Sequence, residues 1–253
     1  MSAFLQRAVG RLLVGTRLAW LPVKVLRGVA QGAWWSLYPW TAYWRGTYEP
    51  AVQTELLALG DIRGWSCWDL GAHYGLYSMG LARLVGPTGE VAAFEPNPLS
   101  FRRLAYHRRL NRLTWLKLFP LAVSDRSGSA ELYTYGELES TTTHLRYEGE
   151  TAQDACRPVM IESVRLDELV AAGQLRRPDL VKVDVEGHGH RAAAGMAGTL
   201  TRKRPIFLLA FHGDPEAFTV RQTLSLLGYR SRPIGDTLPD SAGGDFLFTP
   251  PPG

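Results

Sequence analysis

Four clusters in the 253-residue chain carry side chains that do chemistry. The first is Asp69-Leu70-Gly71-Ala72-His73-Tyr74-Gly75, which follows an apolar run and precedes a helical pattern. A strand-to-helix turn with two glycines lets a ligand approach the backbone, and the following helix turns its free amides toward it. The second is Glu95-Pro96-Asn97, where Glu95 closes the next apolar run. A carboxylate at the end of a second strand can accept hydrogen bonds from both ribose hydroxyls. The third is Lys182-Val183-Asp184-Val185-Glu186-Gly187. A lysine and two carboxylates near a core are costly unless they are paired or used. The fourth is Phe211-His212-Gly213, whose imidazole suits a general base. Each group also has a plain structural use: a glycine turn, a helix-capping Glu95, a Lys182–Asp184 pair, a satisfied His212.

The glycine turn is not a dinucleotide fingerprint, because only Gly71 and Gly75 are present and an acidic residue precedes them. It is not a P-loop, because no Gly-Lys-Ser/Thr follows. A glycine turn without a diphosphate cradle, joined to a ribose carboxylate, points to a nucleoside ligand that lacks phosphates. S-adenosylmethionine fits: Asp69 would repel a pyrophosphate and tolerate the ligand's ammonium.

These groups need elements to position them. Short apolar runs at 65–70, 90–95, 115–119, 180–184 and 205–211 read as buried strands, with helical patterns between most of them. Asn97-Pro98 reads as an N-cap and first-turn proline opening a helix to about Asn111. Ala130–Tyr135 reads as an exposed strand and Pro158–Val164 as another. Helices are expected at 166–172, 191–201 and 219–227, and the last strands at 229–231 and 245–248. Strands alternating with helices predict an α/β, Rossmann-like fold with a mostly parallel sheet and helices on both faces. The polar stretch 136–157 reads as a loop.

The composition is that of a globular protein, with 45% apolar and 21% charged residues. Two cysteines, Cys67 and Cys156, exclude a disulfide framework and predict free thiols in a cytoplasmic setting. Charge is uneven. Residues 1–48 hold Arg7, Arg11, Arg17, Lys24, Arg27 and Arg45, no acidic residue, and five of the eight Trp. The body, 49–253, keeps the other 22 of the 28 basic residues against all 24 acidic ones. The longest uncharged run of the arm, Gly28 to Trp44, is 17 residues, short of the ~20 a spanning helix needs. The arm is expected to be a helical cap whose Trp pack inward. Peripheral contact with the inner membrane face is the alternative.

The motifs taken together resemble the FkbM family of S-adenosylmethionine-dependent methyltransferases. The resemblance rests on Trp68 to Gly75, Ala93 to Pro98, Leu121-Ala122-Val123-Ser124-Asp125-Arg126-Ser127-Gly128 and Lys182 to Gly187, and covers about residues 46–248, including Gly46-Thr47-Tyr48-Glu49. It implies a class I methyltransferase fold, a seven-stranded sheet with one antiparallel strand at the edge. It also implies O-methylation of a hydroxyl on a small molecule, sugar, glycolipid or natural product. By position, Asp69, Gly71 and Gly75, with Ala72, His73 and Tyr74 between them, would line the methionine end of the cofactor. Glu95 with Pro96 and Asn97 would hold the ribose, and Ser124 and Asp125 would lie near the adenine. Asp184 would face the reacting methyl, with His212 beside the acceptor and Glu186 and Lys182 completing the catalytic set. Gly189 and Ala210 stand where the family commonly has Glu, which bears on the acceptor side. His188 and His190 are expected on a solvated loop. No metal is expected, although Asp184, Glu186 and His212 could hold a divalent ion. The rival readings are a non-catalytic cofactor-binding protein and a nucleic-acid methyltransferase. The second is disfavoured because the body is not basic and no nucleic-acid partner is expected.

Overall fold

The computed structural model describes residues 17–37, 42–134, 143–146 and 158–251. After a single 3-10 turn at Arg17–Trp20, the strands run β1 (Pro22–Lys24), β2 (Trp34–Ser36), β3 (Ser66–Leu70), β4 (Glu90–Phe94), β5 (Leu116–Phe119), β6 (Leu121–Val123), β7 (Gly128–Thr134), β8 (Thr143–Arg146), β9 (Pro158–Val164), β10 (Leu180–Val183), β11 (Ile206–His212), β12 (Arg230–Pro233) and β13 (Gly243–Thr249). The helices are α1 (Pro50–Ala58), α2 (Leu76–Val85), α3 (Pro98–Leu110), α4 (Leu166–Ala171), α5 (Gly189–Gly195), α6 (Ala197–Arg202) and α7 (Asp214–Leu226).

The main sheet has seven strands in the order β12-β13-β11-β10-β3-β4-β5. The neighbours from β11 to β5 pair in parallel, and β13 runs antiparallel to both β11 and β12. The reversed strand is thus one place in from the edge, not at it: the chain reaches β12 first and folds back between β12 and β11. Strands β3, β4 and β10 are buried along their whole length, which is why they read as unbroken apolar runs. Alternate side chains feed two cores. Cys67 of β3 packs with α1, α2 and α3, whereas Trp68 and Leu70 pack with α4 to α7. Asn97 caps α3 as expected, its Oδ1 accepting from Leu99 N at 2.9 Å.

A second sheet, in the order β6-β9-β7-β8, was not anticipated as a unit. Only Pro120 separates β5 from β6, so the chain passes from one sheet to the other across a single residue. Ala130 and Leu132 are buried there against Ile161, so the strand read as exposed has a covered face. Of the stretch read as a loop, Thr143–Arg146 is a strand paired with β7; its other residues, Cys156 included, lie outside those described.

The arm departs most from expectation. Its described residues hold one 3-10 turn and a two-stranded antiparallel ribbon, β1–β2, in place of a helical cap. Pro22 and the left-handed Gly28 and Gly32 break a helix, while Val23, Val25, Trp34 and Trp35 suit a pleated strand. Gly28 also touches the body closely: a Cβ there would lie 1.9 Å from Gln53 Oε1. The inward packing of Trp does hold for Trp35, which is fully buried and stacks on His107 of α3 at 3.8 Å. Trp34 is exposed.

Candidate active site

A pocket opens at the carboxyl ends of β3, β4 and β10, the crevice where open α/β sheets bind ligands. It holds about 960 Å³ of empty space, its mouth included. The glycine turn forms its floor. Gly71 N and Ala72 N both donate to Phe94 O, at 3.0 and 2.9 Å, tying β3 to β4. Gly71 has φ +82°, and a Cβ on it would sit 1.9 Å from Asp184 O. Only glycine lets β3 and the end of β10 pass this closely.

His73 also has positive φ, at 49°, with no such freedom. Its amide donates to Glu95 Oε2 at 2.7 Å, and Asn97 N donates to Glu95 Oε1 at 2.8 Å. Burial nevertheless pushes Glu95 up to about 7. Burial pushes His73 down to about 4, so its ring is neutral. Its Nδ1 lies 3.2 Å from Tyr43 Oη, and its Nε2 is buried with no partner among the described residues. Ser100 Oγ, on the same pocket wall, is orphaned in the same way. Among the described residues four non-glycine residues have positive φ, and three of them, Glu49, His73 and Glu186, stand at this site. Such strain persists where surrounding contacts enforce it.

Asp69 does not line the pocket. It lies fully buried beneath the turn, where Oδ2 accepts from Ser78 Oγ and Oδ1 has no partner among the described residues. Burial raises its pKa, and the charge of Lys182 opposes that rise.

The opposite wall is dense in charge. Lys182 Nζ, buried, lies 3.2 Å from Asp184 Oδ2 and 4.6 Å from the centre of the Tyr77 ring. Burial works against its charge, but Asp184, Asp69 and Glu49 outweigh it and hold the pKa above its ordinary value. Burial likewise opposes the charge on Asp184, yet Lys182 and His212 hold that carboxyl well below its usual range. His212 Nε2 is 2.9 Å from Asp184 Oδ1, and its Nδ1 is 3.4 Å from Glu186 Oε2. Burial alone would lower His212, but its bond to Asp184 and the charges of Asp184, Glu186 and Glu216 push it up to about 9. Burial raises Glu186, against the pull of His212. The ligand atoms of Asp184, Glu186 and His212 lie within 4.8 Å of one another, so they could coordinate a divalent ion. Lys182 already occupies one oxygen of Asp184, which weakens that use.

The structure therefore brings Gly71, Ala72, His73, Tyr74, Glu95, Pro96, Asn97, Lys182, Asp184 and Glu186 to one pocket, with His212 at its edge. It does not bring Gly75, which packs against Leu104 of α3, or Ser124 and Asp125 to the surface of that pocket. Leu121, Ala122 and Val123 line it instead, and Ser124 Oγ sits 3.0 Å from both Asp125 Oδ1 and His188 Nε2. His188, read as part of a solvated loop, is half-buried and lines the pocket.

Two features escaped the sequence. Tyr43, Tyr48 and Tyr77 form much of the wall, with Tyr77 Oη donating to Glu49 Oε2 at 2.6 Å. Glu216, buried in the first turn of α7, accepts from Gly189 N at 2.6 Å and from His212 N at 2.9 Å. A Cβ on Gly189 would lie 2.4 Å from Glu216 Oε1. The carboxylate of Glu216 thus occupies the space that a side chain at 189 would need. Asp214-Pro215 was the missed signal, an acid and a proline opening a helix five residues before the apolar periodicity begins.

Residues 69–231 match the Methyltransferase FkbM domain. The hexuronic acid methyltransferase AglP of Haloferax volcanii is 31% identical over 135 residues, which are 53% of this chain and 50% of that protein. The 2-O-methyltransferase NoeI of Sinorhizobium fredii is 26% identical over 150 residues, 52% of this chain and 57% of that protein. The chain thus spans about half the length of these curated relatives. In the solved structures, a methyltransferase FkbM from Methylobacillus flagellatus shares the fold, with a TM-score of 0.53 at 14% identity over 73% of this chain and 43% of that one. With a domain match over more than half of its length, and the turn, carboxylate and sheet order just described, the chain belongs to the FkbM methyltransferase family.

Proposed function

We propose that this chain transfers the methyl group of S-adenosylmethionine to a hydroxyl of a sugar or another small molecule. The observation that carries this reading is the asymmetry of the pocket. One wall offers a buried carboxylate and orphaned neutral polar atoms, and the other offers a charged base set. The orphaned His73 Nε2 and Ser100 Oγ fit a polar nucleoside ligand, because buried polar atoms left unpaired are costly. When bound, S-adenosylmethionine supplies an electrophilic methyl group on a sulfonium sulfur.

In this proposal Glu95 accepts from the ribose hydroxyls with the lone pairs that His73 N and Asn97 N leave open. Gly71 keeps the floor free of side chains. Tyr43 and Tyr48 cover the pocket and exclude water. Lys182 anchors Asp184, and Asp184 holds the His212 ring by Nε2. His212 in its neutral form takes the acceptor's proton, and Glu186 and Asp184 stabilise the imidazolium that results. The remaining contribution is alignment of acceptor oxygen with methyl, a proximity effect. The names of AglP and NoeI, a hexuronic acid methyltransferase and a 2-O-methyltransferase, support a sugar hydroxyl as acceptor.

The test is calorimetric titration with S-adenosylmethionine and its demethylated product, beside Glu95→Ala. Micromolar binding, weakened at least about tenfold in the variant, is expected. Release of the demethylated product with uronic acids and other sugars as acceptors then checks turnover. Absence of binding in a protein folded by circular dichroism would overturn the proposal. Binding without turnover on any hydroxyl acceptor would favour the non-catalytic reading.

A further inference from the structure

The face built by the ribbon and helix α3 presents basic and apolar side chains together, and nothing in the pocket uses them. Trp20 meets Tyr106 of α3 edge-on at 5.2 Å, and the Arg102 guanidinium lies 4.8 Å from the Trp20 ring. Further along, the Asn111 side chain bonds Trp34 N and Trp34 O, both at 2.7 Å, and Lys24 Nζ covers the Trp34 ring at 4.0 Å. Ribbon and helix are therefore one continuous surface. No acidic residue occurs between positions 1 and 48 or between 96 and 124, so this surface is built without a carboxylate of its own. Arg17, Lys24, Arg102, Arg109 and Arg112 are exposed on it.

The same surface carries exposed apolar groups. Leu18 is 50% exposed, Leu21 47%, Leu26 59% and Trp34 40%, close together in sequence and on the ribbon or the turn that leads into it. Exposed leucines gathered in one short segment mark an interaction site. Arginines whose guanidinium groups lie over aromatic rings, among exposed Leu and Trp, match the chemistry of a lipid headgroup layer. A polynucleotide would use the arginines but offers no apolar layer for Leu21 and Leu26. Among the described residues no helix is long and apolar enough to cross a membrane.

We propose that the ribbon and α3 together dock this protein on an anionic lipid bilayer, with Leu18, Leu21, Leu26 and Trp34 entering the headgroup layer and the arginines meeting lipid phosphates. The inference is independent of the methyl-transfer proposal, because docking needs no cofactor. The arm's sequence points to lipid through its own Trp and basic residues; the structure adds α3, which extends the basic face.

Co-sedimentation of the full chain with phosphatidylglycerol-rich vesicles, with phosphatidylcholine vesicles and, separately, retention on duplex DNA tests it. The protein should sediment with the anionic vesicles and stay free of the neutral ones. Arg102→Glu/Arg109→Glu and Leu21→Ser/Leu26→Ser should each weaken that binding about tenfold or more, with circular dichroism unchanged. Failure of the folded protein to sediment with anionic vesicles would overturn the proposal. So would duplex DNA binding of equal strength that Leu21→Ser/Leu26→Ser leaves intact.

Discussion

On the β3–β4 side of the pocket, main chain holds Glu95 and the glycine turn in place. Glu95 is gripped by two backbone amides, and Gly71 and Ala72 hang from one carbonyl. On the β10–β11 side, side chains hold one another: Lys182 to Asp184, Asp184 to His212, His212 to Glu186, with Glu216 behind. Backbone hydrogen bonds survive the exchange of one neighbour. A chain of paired charges anchored on a buried lysine does not, because removing Asp184 leaves Lys182 uncompensated. In the proposed reaction the first side presents fixed atoms to the cofactor, and the second sets the proton affinity of one imidazole.

That contrast is sharpest at Asp184. Asp184→Asn is expected to lower kcat/KM at least about a hundredfold and to cost about 3–5 kcal/mol of stability, since Lys182 loses its nearest counter-charge. Steady-state kinetics and a denaturant melt check both; a loss confined to KM would break the comparison. Gly71→Ala comes next, at about 3 kcal/mol, because the added methyl meets Asp184 O and the φ is left-handed. A thermal midpoint lower by about 6–12 °C is the readout. Glu216→Gln should cost about 1–3 kcal/mol, because an amide replaces one of two acceptor oxygens and sets a donor against a backbone N–H. Its expected signature is a lower kcat with cofactor affinity unchanged; equal loss of cofactor affinity would make Glu216 a general scaffold residue.

The smallest effect is a shift in a pH profile. With His212 pushed up to about 9, its neutral, proton-accepting form gains population as pH rises through that value, so kcat/KM should climb toward an alkaline limb near 9. Glu186→Gln removes a negative charge 3.4 Å from Nδ1 and should move the limb down by about one unit. A limb that stays in place would separate Glu186 from the base. The linkage sign is the opposite for stability. A raised histidine pKa stabilises the fold fully below the unfolded value of about 6.5, and that contribution is lost as pH rises through about 9.

The more legible side in the sequence was the backbone-held one. Gly71, Gly75, Glu95 and Asn97 sit within a few residues of a strand end, and strand-turn-helix grammar is local. Lys182, Asp184 and His212 were also found, because charge at the end of an apolar strand stands out. What joins them was not legible. Glu216 reaches Gly189 and His212 from a helix whose start the apolar periodicity places too late. Tyr43 reaches His73 across a tertiary contact that no spacing encodes. The ribbon was misread because five Trp and a run without charge suit a helix as well as two short strands. The difference lies in how Trp35 and Ser36 meet His107, a contact 71 or more positions away.

The passage from β5 to β6 across Pro120 has a consequence for how such a pocket diversifies. Leu121, Ala122 and Val123, and Leu132 of β7, face the ligand space, yet their strands belong to the small sheet. That wall hangs from the small sheet, with Val123 packed into the core shared with β3 and β10. Lengthening, shortening or grafting the β7–β8 hairpin reshapes the chamber while leaving the Gly71–Glu95 side on its own sheet. In the proposed reaction, acceptor preference would drift through this wall while the Gly71–Glu95 side stays on its own sheet.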